Sequence, residues 1–211
     1  MDRFARCRLL FGDDFEKLQN AKVLLLGVGG VGGFCLDSLY RTGVGSITVV
    51  DFDTFEVTNQ NRQIGSDAIA MVKIERMKEL YKGIEGIELK ITPAWVEEFD
   101  FEPYDLVIDA IDDIPAKVAI ALKVSHKLIS SMGGAKKLDP TKIEISTIWK
   151  THGDGFARKF RAELKKVGFK NKFDVVFSPE LPNCNGLGSF VGVTGSFGLT
   201  ISALAIRKLL K

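Results

Sequence analysis

Cysteine, histidine and tryptophan are all scarce in this chain, with three, two and two residues among 211. Cys7, Cys35 and Cys184 are odd in number and share no CxxC spacing, which argues against a disulfide framework and against a tetracysteine zinc site. His126 and His152 are isolated, with no acid or serine partner suggested, so the sequence offers no histidine-based nucleophile activation. Long apolar runs are also missing. Nothing approaches the about 18 uninterrupted apolar residues of a membrane-spanning helix, and Met1 is followed by Asp2, Arg3 and Arg6 instead of an apolar signal region. A cytoplasmic protein without a membrane span is therefore expected. No sign of charge dominates either: 29 Lys plus Arg stand against 27 Asp plus Glu, a balance too even to announce a nucleic-acid protein by composition alone.

What is present is apolar sequence in an ordered alternation. With 45% hydrophobic residues, the chain is expected to bury one sizeable core as a single domain over residues 1–211. Strand-like runs AKVLLLG (21–27) and SITVVD (46–51) alternate with helical patterns over 31–42 and 66–82. Further strands are predicted at IELKIT (87–92), YDLVIDAI (104–111), LISSM (128–132) and KIEISTIW (142–149), with a helix over 115–126. Near-continuous apolar strands alternating with helices predict an α/β fold, a Rossmann-like, doubly wound and mainly parallel sheet with helices on both faces. An arm (1–20) precedes it, and a basic amphipathic helix is expected at about 155–168. After the turn-rich DVVFSPELPNCNGLGS, a last helix is expected over 190–210 despite its three internal glycines.

Gly27, Gly29, Gly30 and Gly32 follow the first predicted strand and open a helix, where backbone N–H groups and the helix dipole can meet phosphates. The same pattern serves a tight turn. Asp51 ends the next strand, where an acidic group accepts hydrogen bonds from ribose hydroxyls, so NAD and ATP both fit to this point. The loop beyond it separates them. Asp53, Asn59, Asn61, Arg62 and Gln63 crowd a segment beside the phosphates, and hydride transfer has no use for them. Cleavage of ATP between its α- and β-phosphates does, because Arg62 and Lys73 can neutralise charge on the departing pyrophosphate while a carboxylate holds Mg²⁺. Asp109, Asp112 and Asp113 offer that carboxylate at the end of a strand, the edge where ligands collect in open α/β sheets. Lys73 alone is equally an ordinary surface lysine, and Asp113 before Ile114 and Pro115 reads as a helix N-cap.

Together, GVGGVG, DFDTFEVTNQNRQ, a lysine 11 residues beyond the arginine, and DAIDD resemble the adenylating domain shared by ubiquitin-activating, thiamine-biosynthesis and molybdopterin-biosynthesis activating enzymes. RFARCRLLFG, NRQI, SSMGGAKKLDPTKIEISTIWKT, VVFSPE and SFG make the chain most similar to the tRNA threonylcarbamoyladenosine dehydratase branch, over nearly its whole length. The resemblance implies ATP-dependent cyclisation of N6-threonylcarbamoyladenosine in tRNA through an acyl adenylate. It implies that Gly27, Gly29, Gly30, Gly32, Asp51, Asp53 and Asn59 bind nucleotide, with ribose on Asp51 and phosphates on Arg62 and Lys73. It further implies Mg²⁺ on Asp112, and Arg6 reaching the nucleotide of the partner subunit in a homodimer. The implied partners are tRNA carrying threonylcarbamoyladenosine, a second copy, and sulfur-mobilisation proteins. Two rivals share the nucleotide site: an enzyme that activates a small sulfur-carrier or ubiquitin-like protein, and a non-catalytic nucleotide-binding regulator. The first is disfavoured by the missing zinc cysteines. The segment 179–188 is shorter than in longer family members, and Gly155 stands where relatives often carry proline.

Cys35 shares a helix face with Val31 and Leu39 and reads as core. Cys184 reads as a small residue in a crossing loop, with capture of an acyl group the alternative. Between Arg158 and Lys172 lie seven basic residues, Arg158, Lys159, Arg161, Lys165, Lys166, Lys170 and Lys172, against Glu163 as the one acid. Such a run is either a solvated face or a surface for tRNA phosphates, with Lys136 and Lys137 the next candidates for that contact.

Overall fold

Five of the seven strands are short runs buried along nearly their whole length, as expected where helices cover both faces of a sheet. The computed structural model describes residues 2–211. Its elements are α1 (Ala5–Phe11), α2 (Phe15–Asn20), β1 (Lys22–Leu26), α3 (Gly32–Thr42), β2 (Ser46–Asp51), α4 (Lys73–Leu80), β3 (Glu85–Glu88) and α5 (Pro93–Glu98). They continue with β4 (Leu106–Asp109), α6 (Ile114–Val124), β5 (Leu128–Ser131), β6 (Glu144–Thr147), α7 (Gly155–Lys166), β7 (Asp174–Phe177) and α8 (Val191–Leu209). The sheet order is β3-β2-β1-β4-β5-β7-β6, parallel except for the edge strand β6, which runs against β7.

Two apolar layers sandwich the sheet. One joins α2, α3, α4 and α8 through Leu18, Leu36, Leu39, Ile74, Met77, Phe197 and Ile201. The other joins α5, α6 and α7 through Val96, Ile120, Phe160 and Leu164. The strands from β1 to β3 build outward to one side, whereas β4 and β5 build to the other. The chain thus reverses its direction of growth between β1 and β4, and this switch point is where open α/β sheets receive ligands.

The helix α3 and the last helix cross at backbone distance. A Cβ added to Gly198 of α8 would fall 2.3 Å from the carbonyl oxygen of Val31, so only glycine permits this approach. The three glycines of the last predicted helix therefore do not interrupt it.

Several boundaries differ from the sequence expectation. The helix predicted over 66–82 is α4 alone, because the preceding residues turn back onto the 53–55 loop. Phe55 N–H donates to the Met71 carbonyl, Ala70 N–H donates to the Phe55 carbonyl, and Ala70 adopts a positive φ of 64°. The strand expected at 87–92 is β3, centred earlier, and 142–149 divides into β6 and a single 3₁₀ turn over Ile148–Lys150. The DVVF segment is not part of a turn-rich connection but strand β7, inserted between β5 and β6. α5 has no counterpart in the sequence reading, although the Thr92 hydroxyl accepts from Trp95 N–H and Pro93 opens the helix, both ordinary start signals.

Candidate functional site

The glycine loop leaves β1 at Gly27, whose N–H donates to the Val50 carbonyl at 2.8 Å and whose φ is +89°. At Gly32 a Cβ would lie 1.9 Å from the Gly27 carbonyl oxygen, so the first turn of α3 rests directly on the strand end. Gly29 remains open, with only Gln63 Nε2 at 3.9 Å from an added Cβ. These glycines do both things their pattern allows: they pack helix on strand, and they bare backbone N–H groups at a helix N-terminus.

Asp51 at the end of β2 is buried and organises the loops on either side. One carboxylate oxygen accepts from Val28 N–H at 2.8 Å in the glycine loop, and the other accepts from Asp53 N–H at 2.9 Å. Asp53 in turn accepts from the Lys73 ammonium at 2.9 Å. Lys73 is only 4% exposed, so its reading as an ordinary surface lysine is overturned: it is the first residue of α4 and points inward to this loop. Asn59 fixes the next turn reciprocally with Glu56, its side-chain oxygen accepting from Glu56 N–H at 3.1 Å. Arg62 then reaches the glycine loop, since a Cβ on Gly30 would touch its Cγ at 3.1 Å and Thr194 Oγ1 at 3.2 Å. One nitrogen of Arg62, Nη1, donates to the Thr58 carbonyl and to Asn61 Oδ1, both at 2.8 Å. The remaining guanidinium N–H groups have no protein acceptor among the described residues. Asn61 binds the Ser189 carbonyl at 2.7 Å and so ties this turn to the segment leading into α8.

The DAIDD turn closes the other side. A Cβ on Gly27 would meet the Ala110 oxygen and Ile111 Cγ2 at 3.1 Å, so the glycine loop and this turn are in contact. Its three aspartates do different things. Asp109 is wholly buried, accepting from Ser130 Oγ at 2.7 Å and pairing with the Lys117 ammonium at 2.8 Å. Asp113 caps α6 by accepting from Ala116 N–H at 2.8 Å. Asp112 between them is exposed and makes no hydrogen bond or ion pair among the described residues. It is the carboxylate available at the strand end. Lys117, which the sequence reading missed, also donates to the Ile111 carbonyl at 3.1 Å and lies beneath the rings of Phe156 and Phe160. Burial lowers its pKa from the usual lysine value, against the opposing pull of Asp109. A lysine one turn into a helix carries no local signal that it will be buried. Its partner is found only when β4 and α6 are packed.

Arg6 is the one predicted site residue that the fold does not bring here. It is exposed on α1, which sits at the far end of α3: Phe4 lies 3.2 Å from a Cβ on Gly43, and Arg3 donates to the Tyr40 carbonyl at 2.9 Å. Eleven residues of α3 separate that end from the glycine loop, about 16 Å at the helical rise. One expectation for tRNA contact is corrected. Lys137 is 7% exposed, its ammonium bound to the carbonyls of Ser178 and Glu180 at 2.8 and 2.9 Å. Arg161 is half-buried, and its Nη1 donates to the Thr151 carbonyl at 2.9 Å and to the Thr151 hydroxyl, which ties α7 to the segment before it. Cys35 is fully buried, where burial pushes its thiol pKa up, and Cys184 is exposed.

The chain is similar to known proteins over almost its entire length. It is 41% identical to the tRNA threonylcarbamoyladenosine dehydratase of Bacillus subtilis (strain 168), covering 86% of this chain and 76% of that one. Its identity to the tRNA threonylcarbamoyladenosine dehydratase of Escherichia coli (strain K12) is 30%, over 99% and 93% of the two chains. The crystal structure of the E. coli tRNA N6-threonylcarbamoyladenosine dehydratase TcdA in complex with ATP superposes with a TM-score of 0.92 at 33% identity, covering 98% of this chain and 93% of that one. The TcdA complex with AMP gives 0.93 at 31% identity and the same coverage. The ThiF family model matches residues 2–210, and the chain belongs to the ThiF family.

Proposed function

We propose that this protein is an ATP-dependent tRNA threonylcarbamoyladenosine dehydratase, its whole chain acting as one adenylating domain. The observation that carries the reading is the meeting, at the switch point of the sheet, of the glycine loop, the Arg62 turn, buried Lys73 and the unpartnered Asp112. Relatives of that name and the ATP and AMP complexes of TcdA support it. The residues fit a nucleotide triphosphate: open backbone N–H groups at a helix N-terminus, two cations and one free carboxylate. Among the described residues no group of three potential metal ligands converges, so a divalent ion here would take one protein carboxylate, Asp112, and complete its shell from phosphates and water. When bound, Mg²⁺ would neutralise phosphate charge.

In this reading a carboxylate oxygen of the substrate's threonylcarbamoyl group attacks the α-phosphorus, and the bond to pyrophosphate breaks. Arg62 and Lys73 stabilise the charge on that leaving group, and Asp51 orients the ribose through the loops it already holds. The neighbouring carbamoyl group then closes on the activated acyl carbon, losing a proton and expelling AMP, which carries away the carboxylate oxygen. Holding both reacting groups in one molecule gives the ring closure its proximity advantage. Net, the nucleoside loses one water.

Arg6 completes a site in trans. It lies about 16 Å or more from its own glycine loop, and it shares α1 with Leu9 and Leu10, exposed to 86% and 77%, an apolar surface suited to a second copy. No helix among the described residues is long and apolar enough to cross a membrane. A cytoplasmic location and sulfur-mobilising partners complete the reading, and fractionation and affinity capture test them.

The decisive experiment incubates the protein with ATP, Mg²⁺ and tRNA carrying threonylcarbamoyladenosine and weighs the nucleosides. Loss of one water with one AMP released per product is expected. An unchanged nucleoside, with ATP converted to AMP only when a small sulfur-carrier protein is added, would replace this reading with the protein-activating one.

A further inference from the structure

The exposed side of α7 gathers basic charge on one face with a single acidic neighbour. Arg158, Lys159, Ala162, Lys165 and Lys166 are all exposed, and at 100° per residue they fall within one 120° arc of the helix. Four of the five are basic, and Ala162 at the centre is too small to cover them. Among these only Lys166 has an acidic neighbour, Glu163 at 2.7 Å. Elsewhere, exposed basic residues either meet a carboxylate, as Lys17, Arg41, Lys78, Lys123 and Lys142 do, or lack one, as Lys22, Lys82 and Lys150 do; α7 is where unpaired ones gather on one helix face. Lys170 and Lys172, exposed in the segment after α7, continue the unpaired set.

The position of this face matters as much as its charge. Phe156 in the first turn of α7 lies 3.1 Å from a Cβ placed on Gly133, just past the end of β5, and its ring covers the Lys117 ammonium beneath the DAIDD turn. The basic arc therefore begins beside the edge of the sheet where Asp112 stands and descends along the 12-residue helix, about 18 Å. The helix is rigidly seated: Ala157, Phe160 and Leu164 are buried, Asp154 caps it by accepting from Ala157 N–H at 2.9 Å, and Arg161 ties it to Thr151. A firmly seated helix that turns a row of cations outward is suited to a polyanion, since its backbone loses little on docking and the contacts release that polyanion's counterions.

We infer that this arc of α7, through Arg158, Lys159, Lys165 and Lys166, docks the tRNA backbone and leads the modified nucleoside to the sheet edge at Asp112. The inference rests on the dehydratase reading and adds the docking surface to it. Lys137 takes no part, because its ammonium is buried and held by the protein itself. Contacts of this kind fix position without reading sequence.

The test compares the wild-type protein with the variant in which Arg158, Lys159, Lys165 and Lys166 are all replaced by Gln. Wild-type dehydration of modified tRNA is measured first; its failure would remove the dehydratase reading and this docking surface with it. Where the wild type is active, the variant should bind the same tRNA at least about tenfold more weakly at moderate salt. Its logarithmic salt slope should be shallower by about two to four, at somewhat less than one for each phosphate that is no longer neutralised. ATP affinity and the melting temperature should hold, showing that the fold and nucleotide site are intact. Unchanged tRNA affinity and slope in an active protein would overturn the inference. It would equally be overturned if the variant lost binding to anionic lipid vesicles but kept binding to tRNA.

Discussion

The ammonium of Lys117 lies 2.8 Å from Oδ2 of Asp109, and neither side chain has any solvent exposure. Two buried charges of opposite sign tolerate joint replacement far better than the loss of one, because a lone partner keeps its desolvation cost without compensation. Lys117→Met should therefore lower unfolding stability by about 3–5 kcal/mol in denaturant melts. The double replacement Lys117→Met with Asp109→Leu should recover most of that loss. It should still raise the Mg²⁺ concentration needed for half-maximal AMP formation, since Lys117 no longer holds the Ile111 carbonyl next to Asp112. A double variant as unstable as the single one would mean the pair is not what Lys117 contributes.

Asp112 is exposed and bonds to nothing among the described residues, so its removal has little structural cost. Asp112→Ala should keep the wild-type melting temperature and lose AMP formation, followed by nucleotide chromatography. Wild-type turnover would transfer the metal-holding task to another carboxylate.

Subunit mixing checks the role of Arg6. Arg6→Ala and Asp112→Ala should each be inactive, and exchange between them should restore activity in mixed dimers that contain one site with both groups. Verified exchange without recovery would place Arg6 outside the nucleotide site.

Gly32→Ala puts a methyl group 1.9 Å from the Gly27 carbonyl oxygen, a backbone contact that cannot rotate away. The variant should lose about 3 kcal/mol of stability and bind ATP weakly in calorimetry. For the wild type, the same titration should show ATP binding with Mg²⁺ and no comparable binding of NAD; the opposite preference would end the adenylation reading.

Asp154 supplies a pH dependence. It is 3% exposed, and burial raises its pKa above the usual carboxylate value of 3.8, with Lys137 at 3.8 Å and the Ala157 amide pulling the other way. A raised pKa means that the folded state holds the proton more tightly than the unfolded chain. Ionisation then works against folding, and stability is lost as pH rises through the window above 3.8. Asp154→Asn retains a cap oxygen and has no such window. The stability of the wild type relative to this variant should fall as pH rises above 3.8, read from denaturant midpoints. A flat or rising difference would show that Lys137 outweighs burial.

Much of this was legible in the chain because it depends on near neighbours. The glycine loop, Asp51, Asp113 as a cap and the α/β alternation all follow from period and spacing, which act over a few residues. Lys73 was visible as a spacing but not as a buried residue, since burial depends on how 66–72 folds back onto 53–55. Strand β7 was hidden because four residues between polar turns carry little periodicity, and its place between β5 and β6 is a long-range choice. Lys117 and Lys137 were opaque for a common reason. The acceptors that make a buried lysine tolerable come from other segments, Ile111 and Asp109 for one, Ser178 and Glu180 for the other.

The crossing of α3 and α8 at Val31 and Gly198 has a consequence for how the protein is made. The glycine loop is synthesised early, yet the backbone it rests against at Gly198, and Thr194 beside Gly30, come far later in the chain. An emerging chain can pair β1 with β2 and β4 long before that. The phosphate loop gains this backing only once Gly198 is out, so nucleotide capture waits for α8 to be made.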